Sequence, residues 1–211
     1  MSANAKRTPL FARHQASGAR LVEFAGWEMP LQYEGILAEH RATRTATALF
    51  DTCHMGRFFV TGPGALDSLD RLLTLNVQTL ADGQCRYGFL LREDGGILDD
   101  LVVYRFDRER WLVVVNAGTR ENDAGWMRAR LGPNTHFDDA TFRQAKIDVQ
   151  GPTSLPLLEK VLGVNVSQLG RFRFLPFTYA GEEALVSRTG YTGEPGCEVY
   201  VAAEQAPTLW D

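Results

Sequence analysis

Apolar and polar positions alternate along this chain in short blocks. Residues 1–17 read as a polar lead-in with scattered apolar positions, and residues 18–30, with Gly26, Trp27 and Pro30, as a rigid, turn-rich stretch. Residues 35–48 carry a helical stripe that includes Ile36, Leu37 and His40. Residues 57–61 form a β-branched and aromatic strand that Gly62-Pro63-Gly64 interrupts. The spacing of Leu66, Leu69, Leu72 and Leu73 then predicts an amphipathic helix over 65–75. Residues 85–92 and 97–106 read as strands joined by a hairpin at Asp94-Gly95-Gly96, since glycine adopts positive φ without a Cβ clash. A second hairpin at 107–110 leads to a strand over 111–116. A helix over 120–131 and strands over 135–137 and 141–149 follow. This order predicts an α+β fold with a ferredoxin-like layer, in which helices cover one face of an antiparallel sheet.

The punctuation also repeats. Val60-Thr61-Gly62-Pro63-Gly64-Ala65-Leu66 echoes Val149-Gln150-Gly151-Pro152-Thr153-Ser154-Leu155, with the glycines 89 residues apart (151 − 62). After each copy come strands separated by glycine turns and a helix with a tryptophan, Trp126 or Trp210. Two readings stand: a duplicated α+β unit, or Gly-Pro as common punctuation between elements. A duplicated unit would be unfinished at Leu209-Trp210-Asp211, about one turn into its last helix, which suggests a chain cut short.

Composition removes several function classes. The net charge of −4 argues against a broad nucleic-acid surface, because phosphate binding needs a basic face. No apolar stretch approaches the roughly 20 residues of a membrane span. Lys6, Arg7 and Arg13, with no acid before Glu23, faintly resemble a transit peptide, but Pro9 and the lack of an apolar segment leave a short polar lead-in. The three cysteines, Cys53, Cys85 and Cys197, are odd in number and unpaired in spacing. That excludes a disulfide framework and a zinc site, and fits a reducing compartment: bacterial cytoplasm, or mitochondrial matrix in a eukaryote. No phosphate-binding loop, dinucleotide fingerprint or hydrolase elbow is present, and His14, His40, His54 and His136 form no short ligand pair, so no metal is expected.

Three features carry possible chemistry. Cys53-His54 pairs a nucleophile with a base, but neighbours on a strand point to opposite faces and would not meet. Asp99-Asp100 interrupts an apolar strand. Alternation puts Asp100 on a face with Val102 and Tyr104, and Asp99 on the other with Leu101 and Val103. Either a carboxylate there is paired and used, or both acids close the hairpin and face solvent. Glu198 interrupts the strand that follows the glycine-rich turn Gly190–Gly196. On pattern alone a plain hairpin with an exposed glutamate is the simpler reading.

A wider, ordered set of segments resembles one family. It comprises Thr8-Pro9-Leu10, His14, Gly18-Ala19-Arg20, Phe24-Ala25-Gly26-Trp27-Glu28-Met29-Pro30-Leu31-Gln32-Tyr33, Glu39-His40, Phe50-Asp51 and His54-Met55-Gly56. It continues through Gly95-Gly96-Ile97-Leu98-Asp99-Asp100-Leu101-Val102-Val103-Tyr104, Val114-Val115-Asn116-Ala117, Gln150-Gly151-Pro152 and Gly190-Tyr191-Thr192-Gly193-Glu194. Together these resemble the tetrahydrofolate-dependent aminomethyltransferases, the T-proteins of the glycine cleavage system.

The resemblance implies the folate-binding T-protein fold. Residues 1–56 and 140–211 would belong to its folate-binding α+β domain and 57–139 to a ferredoxin-like domain, with the family's C-terminal barrel, and an arginine it brings near the folate, absent. It implies transfer of a one-carbon unit from the aminomethyl-dihydrolipoyl arm of the lipoylated H-protein to N5 of tetrahydrofolate. Ammonia is released and 5,10-methylenetetrahydrofolate formed. No metal, nucleic acid or membrane takes part. By the same resemblance Asp100 is the essential aspartate, where a fixed carboxylate stabilises an iminium-like cation. Glu198 pairs with pterin N–H donors. Tyr87, Val102, Tyr104, Tyr191 and Met55 wall the rings, and Asn116 belongs to the same cavity. Cys53 stands where the family more often has serine, and Cys197 where an aromatic residue is common. Two alternatives remain: another folate-dependent transferase or demethylase of this fold, or an inactive or folate-binding-only fragment. The loop Arg188-Thr189-Gly190-Tyr191-Thr192-Gly193-Glu194 lacks the cysteine of the iron–sulfur-assembly relatives.

Overall fold

The structure, a computed structural model, describes residues 5–211. The first four residues of the polar lead-in lie outside the described residues. Two compact units are present: Met1–His54 with Arg143–Asp211, and Met55–Phe142. Met55, Gly56 and residues 140–142 fall within the second unit. There Ala140 N–H donates to Arg57 O, and the Arg57 guanidinium binds the carbonyls of Met55 and Thr141.

The first unit opens with β1 (Lys6–Arg7), α1 (Phe11–Ala16), β2 (Arg20–Phe24), β3 (Trp27–Gln32), α2 (Ile36–Thr45) and β4 (Ala48–Asp51). The supposed lead-in is therefore structured. Leu10, Phe11 and His14 are buried along one turn and a half, which orders the short α1. Residues 18–30 form a β2–β3 hairpin rather than irregular turns. Ala25 and Gly26, both at positive φ, reverse the chain, and Trp27 and Met29 are buried. The helix over 35–48 stops at Thr45, and β4 follows it.

The second unit runs β5 (Gly56–Thr61), α3 (Ala65–Leu72), β6 (Gln84–Leu91), β7 (Ile97–Arg105), β8 (Arg110–Val115), α4 (Arg120–Arg128) and β9 (His136–Asp139). Its antiparallel sheet has the order β6-β7-β8-β5-β9. Phe58, Val60, Leu101, Val103, Trp111, Val113 and Val115 pack on one face against Leu66 and Leu69 of α3 and Ala124 and Met127 of α4. α3 ends three residues short of expectation because Leu73 turns extended and bridges to Leu90.

The first unit resumes with β10 (Gln144–Gln150), α5 (Ser154–Leu162), β11 (Phe174–Tyr179), β12 (Glu182–Ser187), β13 (Gly196–Ala202) and α6 (Ala206–Trp210). Its second sheet has the order β11-β12-β13-β10-β4, again antiparallel. Ala145, Ile147, Val149, Val186, Val199 and Val201 form its core with Leu158 and Val166. Among the described residues no helix is long and apolar enough to cross a membrane.

The sequence echo is thus a topological repeat. Each copy runs strand, helix, three strands, helix, and in each sheet the first strand lies beside the fourth with a fifth strand on its other side. Each copy holds a short 3₁₀ turn preceded by an asparagine whose side chain accepts from an amide of the turn, Asn76 from Gln78 N–H and Asn165 from Gln168 N–H. The glycines at the echo have φ of +103° (Gly62) and +126° (Gly151), and each carbonyl accepts from the N–H three residues on. A Cβ on Gly151 would lie 2.2 Å from Ala46 O.

α1 and β4 are joined by a buried polar cluster. Asp51 Oδ2 accepts from Thr8 Oγ1 at 2.6 Å and meets His14 Nε2 at 2.8 Å, Asp51 Oδ1 accepts from Cys53 N–H at 2.9 Å, and His14 Nδ1 lies 2.7 Å from the Tyr33 hydroxyl. Burial pushes the Asp51 carboxyl up, but the hydrogen bonds from His14, Thr8 and Cys53 outweigh it and hold it below the ordinary value. Burial, with the charges of Asp51 and Glu39, pushes Tyr33 up to about 12.

Two outcomes follow for stability, both read by denaturant unfolding. Gly151→Ala, which meets both the overlap and the left-handed backbone, is expected to cost more than Gly163→Ala. The latter has φ +68° and open space around its Cβ, and should cost only the ~1–2 kcal/mol of a left-handed L-residue. Asp51→Asn should cost ~1.5–3 kcal/mol at neutral pH by weakening bonds to a charged acceptor. Because Asp51 is held low, its contribution is present above an unfolded value of about 3.9 and lost as the pH falls through the folded one. The variant should therefore lose less stability on acidification than the parent.

Candidate functional site

In the second unit, β7 carries Asp99 and Asp100 on opposite faces, and neither closes the hairpin toward solvent. Asp99 is 6% exposed, and Asp100 is half-buried on the face opposite the core, with Val102 and Tyr104. The hairpin is closed three residues before Asp99, by Arg92 and Gly96 around Gly95 at positive φ. The β6–β7 register sets Tyr87 opposite Val102 and Phe89 opposite Asp100, so these four share a face. The Tyr87 and Phe89 rings meet edge to face at 5.3 Å. Tyr87 is exposed, Val102 and Met55 are half-buried, and Tyr104 is fully buried.

Asn116, just beyond β8, ties the two acids together. Its side-chain amide donates to Asp99 Oδ1 and Asp100 Oδ1, each at 2.9 Å, and to Asp100 O at 3.2 Å. Its backbone N–H donates to Asp99 Oδ2 at 2.9 Å. A fixed amide on one oxygen orients the Asp100 carboxylate without neutralising it.

In the first unit, Glu198 on β13 faces away from the core and is not the exposed glutamate that the turn pattern suggested. Its Oε1 lies 3.0 Å from Lys146 Nζ. Its Oε2 accepts from the Thr189 hydroxyl at 2.7 Å and the Tyr200 hydroxyl at 3.1 Å. Lys146 is buried on β10 and also pairs with Asp148 Oδ1 at 2.7 Å. Burial pushes the Lys146 ammonium down, but the charges of Asp148 and Glu198 outweigh it and raise it above the ordinary lysine value. One ammonium cannot neutralise two carboxylates. Burial and the Glu198 charge prevail over Lys146 and push Asp148 up to about 6.

Tyr191 stands fully exposed on the loop between β12 and β13. Gln150 braces that loop from inside. Its Nε2 donates to the carbonyls of Thr189 and Cys197, and its Oε1 accepts from Thr192 Oγ1. Gly190 and Gly196 lie flat on this side chain, where a Cβ would come within 2.3 Å. Lys146 and Asp148 are not singled out by the sequence, and Gln150 stands there only beside the echo glycine. The available signal was alternation: β10 is polar at every second position, and all of those from Lys146 onward are buried.

Cys53 and His54 sit in the turn after β4, not on a strand. Cys53 Sγ donates to Lys146 O at 3.3 Å, and the His54 ring packs edge-on against Phe24 at 5.6 Å. Burial pushes the Cys197 thiol up to about 11, which keeps it protonated. Among the described residues no cluster of His, Cys, Asp and Glu could hold a metal ion.

Comparison with known proteins agrees with this arrangement of elements. An aminomethyltransferase of Halothermothrix orenii is 45% identical over 205 residues, which cover 97% of this chain and 57% of that protein. One of Rubrobacter xylanophilus is 48% identical over 206 residues, covering 97% and 55%. The crystal structure of glycine cleavage system aminomethyltransferase T from Bartonella henselae superimposes with a TM-score of 0.91 at 34% identity, covering 97% of this chain and 56% of that one. The chain thus spans little more than half the length of the relatives it matches. Residues 10–211 match the family described as the GCVT N-terminal domain, and the chain belongs to that family.

Proposed function

We propose that this chain carries the folate-handling part of an aminomethyltransferase of the glycine cleavage system. The observation that carries this reading is the 45% and 48% identity, over 97% of the chain, to proteins named aminomethyltransferase. Tetrahydrofolate is the acceptor and the aminomethyl-dihydrolipoyl arm of the H-protein the donor. Ammonia leaves and 5,10-methylenetetrahydrofolate forms. The proposed compartment is the cytoplasm, in keeping with three free buried cysteines.

In this reading Glu198 accepts the pterin amino and ring N–H groups. Its three donors, Lys146, Thr189 and Tyr200, support the role by fixing the carboxylate before the ligand arrives, so little reorganisation is needed. Asp100, held through one oxygen by Asn116, stabilises the positive charge of the iminium-like centre and takes part in its proton movement. Tyr87, Val102 and Met55 offer partly exposed ring, aliphatic and thioether surface for a flat heterocycle, and Tyr191 offers a whole exposed ring that a ligand would cover. Tyr104, buried behind that face, supports it.

Calorimetric titration of the chain with tetrahydrofolate tests the assignment. Glu198→Gln is expected to weaken binding by ~1.5–3 kcal/mol, the range for a hydrogen bond to a charged group. Asp100→Asn should leave affinity within about tenfold yet lower aminomethyl transfer from the H-protein by ~10²-fold or more, as loss of a transition-state charge partner does. A folded chain that binds no tetrahydrofolate, or a Glu198→Gln variant that binds as the parent does, would overturn the reading of this site.

A further inference from the structure

Asp123 lies on α4, is 1% exposed, and its Oδ2 has no hydrogen-bond partner. The groups that face it are the carboxylate of Asp99, from β7, and the Thr119 hydroxyl at the start of its own helix. The cations on neighbouring elements are engaged elsewhere. Arg120 of α4 binds Asp139 at 2.6 Å and Glu121, while Arg57 of β5 donates to the carbonyls of Met55 and Thr141. Among the described residues, neither Asp99 nor Asp123 meets a lysine, arginine or histidine.

Two adjoining buried carboxylates without a cation cannot both be ionised. An ionised carboxylate also has acceptors only, so the orphaned Oδ2 of Asp123 is satisfied only when it carries a proton it can donate. Asp99 is the ionised partner, because both of its oxygens already accept N–H groups of Asn116, each at 2.9 Å. The same Asn116 amide reaches Asp100 Oδ1 at 2.9 Å.

We infer that Asp123 and Asp99 form a one-proton acid pair that sets, through the side-chain amide of Asn116, the orientation and electrostatic surroundings of the Asp100 carboxylate. Asp123 is a positioning residue and touches no reactant. With the proton in place, Asp99 divides its acceptor capacity between Asp123 and Asn116. When the proton leaves, the two charges repel, Asp99 is driven onto Asn116, and Asp100 feels an added negative field. Burial first, and then the Asp99 charge, push Asp123 up to about 7, which puts the change near neutral pH. The importance of Asp100 rests on the proposed function; the proton pair does not.

Nuclear magnetic resonance of the whole chain, labelled with ¹³C at the aspartate carboxyl carbons and ¹⁵N at the asparagine amides, tests this from about pH 4 to 9 without folate or activity. The Asp123 carbon should titrate with a midpoint near 7, and the Asn116 side-chain NH₂ resonances should shift with the same midpoint. In Asp123→Asn, a neutral isostere of the protonated acid, that step in the Asn116 signals should vanish, leaving them near their low-pH positions. Because Asp123 is raised, the folded chain keeps a proton that the unfolded chain releases above about pH 3.9. The parent should therefore lose stability relative to Asp123→Asn as the pH climbs from there through about 7. An Asp123 carbon that titrates near pH 4 in the parent, or Asn116 signals that stay still while Asp123 titrates, would sink the proposal, and the parent alone suffices for both observations. A chain that fails to bind tetrahydrofolate but shows the coupled titration would overturn the folate reading and leave this pair standing.

Discussion

Period-two alternation in a sheet whose two faces are both withdrawn from water forces this protein to answer charge with charge inside itself. In the first unit, β10 points Ala145, Ile147 and Val149 into the core and Lys146, Asp148 and Gln150 to the other side, where they are also buried. An isolated charge there would be costly to bury. Lys146 is therefore shared between Asp148 and Glu198, and the leftover acceptors take Thr52, Thr189 and Tyr200. The arrangement leaves one carboxylate more than the single ammonium can neutralise. That surplus negative charge is what the proposed pterin N–H donors would answer.

The second unit solves the same problem without a cation beside its paired acids, for its buried Arg57 and Arg120 are engaged elsewhere. Its acids sit on β7, and the compensating donors come from Asn116, which closes β8. The two units share a strand order and a glycine turn, yet the chemistry lies on different strands: the third of one copy, the fourth of the other. Even the positions that correspond diverge. Arg57 and Lys146 each precede the echo glycine by five residues and both are buried. Arg57 directs its two terminal nitrogens to backbone carbonyls, as its forked guanidinium allows, whereas Lys146, a compact point charge, meets carboxylates. A duplicated scaffold thus holds two unlike polar sites because what repeats is backbone geometry, and side chains facing away from the core are not bound by it.

Loop placement follows the same economy. The Gly190–Gly196 segment is rigid for a specific reason: the Gln150 amide threads against two glycines and binds two carbonyls and a hydroxyl. That bracing presents Tyr191 to solvent and delivers Glu198 at a defined point of β13. At the other end of the same sheet, the Thr8, His14, Tyr33 and Asp51 cluster ties a six-residue helix, too short to persist alone, to β4.

The sequence by itself determined the strands and helices of the second unit, the hairpin at Gly95 and the α+β class, because these depend on local periodicity and on glycine's backbone freedom; it showed the strand–glycine–helix echo but left open whether a unit was duplicated, which the strand order decided. It also singled out Asp99, Asp100 and Glu198 as polar residues interrupting apolar runs. It did not reveal that residues 5–32 are structured, since α1 and the β2–β3 hairpin form through burial of Leu10, Phe11, His14, Trp27 and Met29 against distant parts of the chain. Nor did it show which aspartate was buried, that Glu198 was enclosed, or that Lys146, Asn116 and Asp123 were their partners. Those relations join residues far apart in sequence. Only tertiary structure decided them, because the free energy of a buried charge depends on what stands within about 3 Å of it, and local sequence carries no record of that neighbour.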